Sequence, residues 1–289
     1  MVYDALVAPF ADFEFMRRAL AAAIALALGA APIGVFLMLR GMSLVGDAMA
    51  HAILPGAAIG FLLSGLNLFA MTVGGLIAGF AVAILSGVVS RLTELKEDSS
   101  LATFYLASLA LGVTIVSVKG TNIDLLHVLF GNILAMDNQT LMVIAINATV
   151  TLVVLAVIYR PLVIECVDPV FLRTVSRAGA PAHLAFLGLV VVNLVNGFHA
   201  MGTLMAVGLM ILPAGIARFW SRDITGMIMI AVVSALLSGY TGLILSFHSK
   251  VPAGPAVILV ASAIYALSVL FGRVRGILRP LFPAPHLEA

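Results

Sequence analysis

The feature that most constrains this chain is a long stretch without ionisable acids or strong bases. Residues 48–90 contain no Asp, Glu, Lys or Arg. Because a helix needs roughly 20 apolar residues to cross the hydrocarbon core of a membrane, this stretch is long enough for two crossings. The sequence Ser64-Gly65-Leu66-Asn67 near its middle is typical of a turn. The stretch therefore predicts two membrane helices joined at that turn.

The rest of the chain continues the pattern. Hydrophobic residues make up 63% of the chain and charged residues 10%, whereas a soluble domain carries about 25% charged residues. Apolar runs predict nine spans, at residues 19–39, two within 48–90, and at 99–118, 141–159, 184–198, 200–217, 224–247 and 251–272. Residues 121–138 are too short to cross and predict an interfacial or re-entrant piece. We predict an all-α polytopic membrane protein with one bundle in a single domain, 1–289, and a tail at 273–289.

The distribution of positive charge predicts the orientation, because cytoplasmic loops are enriched in Lys and Arg. With nine spans and a cytoplasmic C-terminus, eleven of the 15 basic residues fall on the inner side. This places the N-terminus outside. Arg17 and Arg18 run against the bias; if they are cytoplasmic, one early span has been miscounted.

Two polar residues, Asp47 and His51, stand at the start of the second predicted span. Residues four apart share a helix face, so both side chains can point at one spot. An acid within a membrane helix costs roughly 2.5–3.5 kcal/mol, which makes it a functional hypothesis by default. Carboxylate and imidazole together suit a divalent transition metal. The alternative is a buried polar pair that holds two helices together.

The largest inner connection, residues 160–183, contains a second candidate. Asp168 can cap a helix with Pro169 in its first turn, and Gly179 can end it. This predicts a short amphipathic helix at 168–179. The helix would serve as a docking helix for a cytoplasmic partner. The alternative is that this segment is only a solvated loop. The docking candidates are Asp168, Pro169, Phe171, Arg173, Arg177 and Gly179.

Other residues are weaker candidates. His199 lies between two short predicted spans, where transporters often form binding sites, so it is either a further metal ligand or a helix cap. Asp124, His127 and Asp137 in the outer segment either attract a cation or are simply solvated. Cys166 is the only cysteine, which excludes an intrachain disulfide. No phosphate-binding Gly-x-x-x-x-Gly-Lys loop or common hydrolase motif occurs, so we expect no enzyme activity.

The chain resembles the membrane permeases of ATP-binding-cassette importers for manganese, zinc and iron. The resemblance rests on the motif at residues 43–56, Ser-Leu-Val-Gly-Asp-Ala-Met-Ala-His-Ala-Ile-Leu-Pro-Gly. It continues at residues 129–134, 168–179, 202–214 and 245–255, and covers nearly all of 18–272.

This resemblance implies a homodimer in a prokaryotic inner membrane, a separate cytoplasmic ATP-binding subunit docked on the inner-loop helix, and an extracytoplasmic metal-binding protein. It implies that Asp47 and His51 line the translocation path near the outer gate. We expect no permanently bound cofactor and no nucleic-acid partner. The cargo is Zn²⁺ or Mn²⁺, with affinity order slightly favouring zinc. The rivals are a proton-coupled metal carrier and, with less support, a scaffold or intramembrane enzyme.

Overall fold

The structure is a computed structural model. It describes residues 3, 6–65, 67–94, 97–119, 133–168, 171, 172, 174, 176, 179–274 and 276–278, with the backbone alone at 68, 91, 97, 116–119, 135, 199 and 200. The predicted outer-segment candidates Asp124 and His127 and the tail beyond 278 lie outside the described residues.

Helices account for nearly all of the described chain. They are α1 Ala8–Asp12, α2 Glu14–Leu39, α3 Val45–Ala52, α4 Leu54–Ser64, α5 Leu68–Leu92, α6 Glu97–Lys119, α7 Asn138–Val167, α8 Gly179–Met201, α9 Thr203–Trp220, α10 Ile224–Ser249 and α11 Ala253–Phe271. A 3₁₀ turn at Ile133–Ala135 precedes α7. Counting α3 and α4 together, nine segments of the described chain are long and apolar enough to cross a membrane. The all-α polytopic prediction and the span count are confirmed.

Several predicted boundaries are wrong. Helix α7 continues through Pro161 to Val167 instead of ending at residue 159. Gly179 is the first residue of α8, so it begins a membrane helix rather than ending the docking helix. The inner connection therefore shrinks to residues 168–178. The break between α8 and α9 lies at Gly202, whose φ of 83° suits glycine, and not at residues 196–199.

The first span also begins earlier than predicted, at Glu14. Arg18 pairs with the Glu14 carboxylate one turn away and donates to the Met136 carbonyl at 3.4 Å. Arg17 donates to the Ala11 carbonyl at 2.7 Å. Both guanidinium groups thus have hydrogen-bond acceptors near the start of α2, so the two arginines do not disrupt the first span.

Asparagine and aspartate side chains cap the N-termini of three of the long helices. Asn67 accepts from two backbone amides at the start of α5, and Asp223 accepts from Gly226 N at 2.6 Å at the start of α10. Asp137 accepts from Thr140 N at 2.9 Å, and bonding to Thr140 holds the pKa of this carboxyl below its usual value. Asp137 therefore has a structural role as the N-cap of α7.

Small residues bring α4 and α5 together. A Cβ on Gly56 would overlap the carbonyl oxygen of Gly74, and one on Gly60 would overlap that of Ala70. Such contacts allow the two backbones to approach closely, as small-xxx-small spacing predicts. This tight hairpin fixes the position of α4, and hence of α3, which carries Asp47 and His51.

We expect Gly56→Ala to lower stability by about 1–3 kcal/mol, because the added methyl must push two backbones apart. Gly87→Ala on α5 is the control, since a Cβ there would meet nothing within 4 Å. Thermal unfolding of the purified chain in detergent should show a lower midpoint for Gly56→Ala alone. Equal midpoints for the two variants would contradict the tight contact.

Candidate metal site

The segment that carries the candidate site is a helix in two pieces. Helix α3 ends at Ala52 and α4 begins at Leu54, with Pro55 in its first turn. Helix α6 packs against this break: Ser108 Oγ donates to the Ala52 carbonyl at 2.9 Å. A Cβ on Gly112 would lie 3.0 Å from Pro55 N. The break is thus supported by a neighbouring helix, which fixes the direction of α3.

Asp47 and His51 lie on one face of α3, as their spacing predicts. His51 Nε2 is 3.8 Å from Asp47 Oδ1. The side chains are 32% exposed for His51 and 66% exposed for Asp47, whereas Val45, Met49 and Ala52 on the same helix are fully buried. The pair therefore lies on the more exposed face of α3, which argues against a polar pair that only joins two helices.

The neighbours of α3 show how far along the bundle the pair lies. The His51 ring stacks on Tyr105, near the middle of α6, with centroids 6.4 Å apart and planes 29° from parallel. A Cβ on Gly46 would lie 2.7 Å from Met210 Cε, near the middle of α9. The pair therefore lies about halfway along these two helices, and its position near an outer gate stays a prediction.

The pair can supply only part of a metal site. Metal–nitrogen and metal–oxygen bonds of about 2.0–2.2 Å place two ligand atoms about 3.0–3.5 Å apart, so a small rotation from 3.8 Å suffices. Within the described ranges, no group of three or more His, Cys, Asp and Glu residues could hold a metal ion. A divalent metal takes at least four donors. Water or a second molecule facing the exposed pair can supply further donors.

Comparison with known proteins decides the family. The model of the ABC 3 transport family matches residues 12–272. The chain belongs to this family. It is 32% identical over 92% of its length to the manganese transport system membrane protein of Halalkalibacterium halodurans, covering 90% of that protein.

Two further proteins are similar to nearly the whole chain. The manganese import system permease protein of Streptococcus parasanguinis is 32% identical over 89% of the chain and is itself 90% covered. A chain in the structure of PsaBC from Streptococcus pneumoniae in complex with a Fab superposes with a TM-score of 0.80. It is 27% identical, and the match covers 97% of this chain and 100% of that one.

The structure describes some of the predicted docking residues. Asp168 Oδ1 accepts from Phe171 N at 2.9 Å, which confirms the predicted cap. Phe171 is exposed and Leu172 is buried, while Ser176 N bonds to the Leu172 carbonyl at 2.9 Å. The described part is therefore a capped turn with one buried and one exposed apolar side chain. Pro169, Arg173 and Arg177 lie outside the described residues.

The backbone of His199 is part of α8, which continues to Met201. The helix break that suggested a ligand role is three residues farther on, at Gly202. The His199 side chain lies outside the described residues, so its role as a metal ligand stays a prediction.

Sequence reasoning missed a buried ionic cluster. Arg40, just after α2, pairs with Glu165 on α7, and its guanidinium lies 5.2 Å from the centre of the Phe186 ring. Glu165 Oε1 is also 3.7 Å from Nδ1 of the buried His183 on α8. Because Glu165 and His183 flank the 168–178 connection, the cluster fixes both of its ends to α2. Glu165 within an otherwise apolar run was the available signal.

A second buried network, also missed, joins α7 to α8. Asn147 Nδ2 donates to Asn193 Oδ1 at 3.2 Å, and Asn193 Nδ2 donates to Thr151 Oγ1 at 2.8 Å. All three residues are buried. Amides in long apolar runs were the signal, because a polar group at such depth needs a partner.

Proposed function

We propose that this chain is the permease subunit of an ATP-driven importer of divalent metal ions in a prokaryotic inner membrane, with its N-terminus outside and its C-terminus cytoplasmic. The observation that carries the proposal is the exposed Asp47–His51 pair, halfway along the bundle of an ABC 3 family chain. The names of the relatives support metal transport as the shared activity.

The incomplete ligand set supports a homodimer. Two copies whose α3 helices face each other would bring two carboxylates and two imidazoles to one path. Four such donors replace part of the water around the ion without enclosing it completely. A conducting site must bind weakly enough to release its ion, so a partial and exposed ligand set suits passage better than storage.

Energy would come from a separate ATP-binding subunit, since this chain carries no phosphate-binding loop of the common type. That subunit would dock on residues 168–178. The Arg40–Glu165–His183 cluster ties both ends of the connection to α2, which leads directly into α3. An extracytoplasmic metal-binding protein would deliver the ion to the other end of the path. The comparisons do not support the proton-coupled carrier that the sequence left open.

For the cargo, we propose manganese ahead of zinc. Affinity order slightly favours zinc, but three relatives at 30–32% identity are named for manganese. The exposed carboxylate of Asp47 also suits manganese. Uptake by the complete transporter with both metals present should show manganese entering faster at equal concentration. Faster zinc entry would assign the site to zinc.

We expect charge reversal at Arg173 or Arg177 to weaken the coupling between the permease and its ATPase, because a docking segment depends on its charged face. ATPase activity of the assembled complex, with and without the loaded binding protein, is the measurement. Lys250→Glu, an exposed charge after α10, is the control. Unchanged stimulated activity in both arginine variants would remove this segment from the docking role.

A further inference from the structure

A basic cavity lies where α9 ends and α10 begins. Its volume is about 410 Å³, within the range of about 300–1,000 Å³ of pockets that hold small molecules. It is lined by Arg218, Ser221, Arg222, Met227 and Val274.

The two arginines give this cavity its charge. Arg218 is half-buried and Arg222 is exposed. Within the ranges the structure describes, neither guanidinium forms an ion pair or a hydrogen bond. The adjacent carboxylate of Asp223 is engaged elsewhere, since it accepts from Ser221 Oγ at 2.8 Å and from Gly226 N at 2.6 Å. These bonds hold the pKa of Asp223 below its usual value. Within the described residues, the cavity therefore presents two guanidinium groups that are not ion-paired with Asp223 or with another described carboxylate.

The surroundings place this cavity at a boundary between charge and apolar surface. Trp220 is exposed, and its Nε1 donates to Ser268 Oγ on α11 at 2.9 Å. Leu270, Phe271 and Ile277 are also exposed. Tryptophan with an apolar body and a satisfied polar tip is typical of the membrane–water interface.

The side of the membrane follows from neighbouring charges. Tyr159, about two turns before the end of α7, lies 3.3 Å, hydroxyl to hydroxyl, from Thr225 at the start of α10. The cavity is therefore at the same end of the bundle as Arg160. Clusters of Lys and Arg mark the cytoplasmic side, so with the orientation proposed above the cavity meets the inner leaflet, where anionic lipids attract basic residues.

We propose that Arg218 and Arg222 bind the phosphate of an anionic phospholipid of the inner leaflet, with an acyl chain along Leu270 and Phe271. Arginine suits this chemistry because its planar fork donates two hydrogen bonds to one phosphate. Free inorganic phosphate shares the chemistry, but the exposed apolar flank favours a lipid. This site is independent of the metal path.

The test uses the purified full chain in an uncharged detergent. Phosphatidylglycerol, phosphatidylcholine and inorganic phosphate are added separately, and lipid retention is followed by native mass spectrometry alongside the thermal midpoint. We expect phosphatidylglycerol to bind more tightly than phosphatidylcholine. Arg222→Gln should weaken its binding about fivefold and the double variant Arg218→Gln/Arg222→Gln about thirtyfold.

Arg160→Gln is the matched control, because it removes an exposed arginine from the same end of the bundle and should leave binding unchanged. If the double glutamine variant does not fold, Arg218→Lys/Arg222→Lys keeps the charge but loses the bidentate geometry, and should bind phosphatidylglycerol less tightly than the parent.

Three results would overturn the proposal: equal phosphatidylglycerol binding by the parent and the double variants, equal binding of both lipids, or protection by inorganic phosphate as strong as that by phosphatidylglycerol. If the double glutamine variant binds phosphatidylglycerol like the parent but no longer assembles with the ATP-binding subunit, the proposal is also overturned. The cavity would then belong to a protein partner.

Discussion

Replacing Asp47 or His51 by alanine should lower ATP-driven metal uptake by the assembled transporter about tenfold or more. Each substitution removes one donor from every copy, so a homodimer loses half of its four donors. Mutation of residues that only hydrogen-bond to metal ligands already costs about 10–100-fold in metal affinity or activity. The basal ATPase activity of the complex should be retained, because both side chains lie on the exposed face of α3 and the His51–Tyr105 stack is the one ring contact that the pair makes in the described residues.

His248→Ala is the control for this experiment, since it removes an exposed imidazole from the end of α10, away from the pair. Asp47→Asn is a second variant that keeps the shape of the side chain and removes its charge. It should lower uptake as Asp47→Ala does if the carboxylate contacts the ion. Normal uptake by both alanine variants would remove the pair from the path.

Replacing Glu165 by alanine should destabilise the protein by about 3–5 kcal/mol, because it leaves a buried guanidinium without its counter-ion. The Arg40 side chain is only 8% exposed in this pair. Glu14→Ala is the matched control, since Glu14 also pairs with an arginine but is 63% exposed. We expect that change to have little effect on stability, because an exposed ion pair is screened by solvent. Unfolding in denaturant measures the loss of stability in the Glu165→Ala and Glu14→Ala variants.

A double variant, Arg40→Met/Glu165→Met, separates the charge effect from the packing effect. Replacing a whole buried pair by apolar residues of similar volume is often close to neutral. We therefore expect the double variant to be more stable than Glu165→Ala. If Glu165→Ala is as stable as the parent, the cluster does not hold the ends of the 168–178 connection.

The span count could be predicted from sequence because apolar runs of membrane length have few other uses. The boundaries at Glu14, Val167 and Gly179 could not, since the predictions ended each helix near its first charge. In the structure Arg18 pairs with Glu14 within its own helix, and Glu165 meets Arg40 and His183 from other parts of the bundle. Such pairing depends on tertiary contacts that no local pattern contains.

The candidate site was predicted only in part. Four-residue spacing was enough to place Asp47 and His51 on one face of α3. Their position along the bundle was not predictable, because it depends on the break between α3 and α4 and on the packing of α6 against that break. The Asn147–Asn193–Thr151 network was missed for a similar reason, since its members lie far apart in the chain.

Metal uptake into proteoliposomes tests the central claim most directly. The permease is reconstituted with and without its ATP-binding subunit and metal-binding protein, and radioactive manganese entry is followed with ATP, without ATP, and under a proton gradient. We predict uptake only with the complete complex and ATP, and none by the permease alone under the gradient. Uptake by this chain alone that follows the proton gradient and ignores ATP would contradict the account.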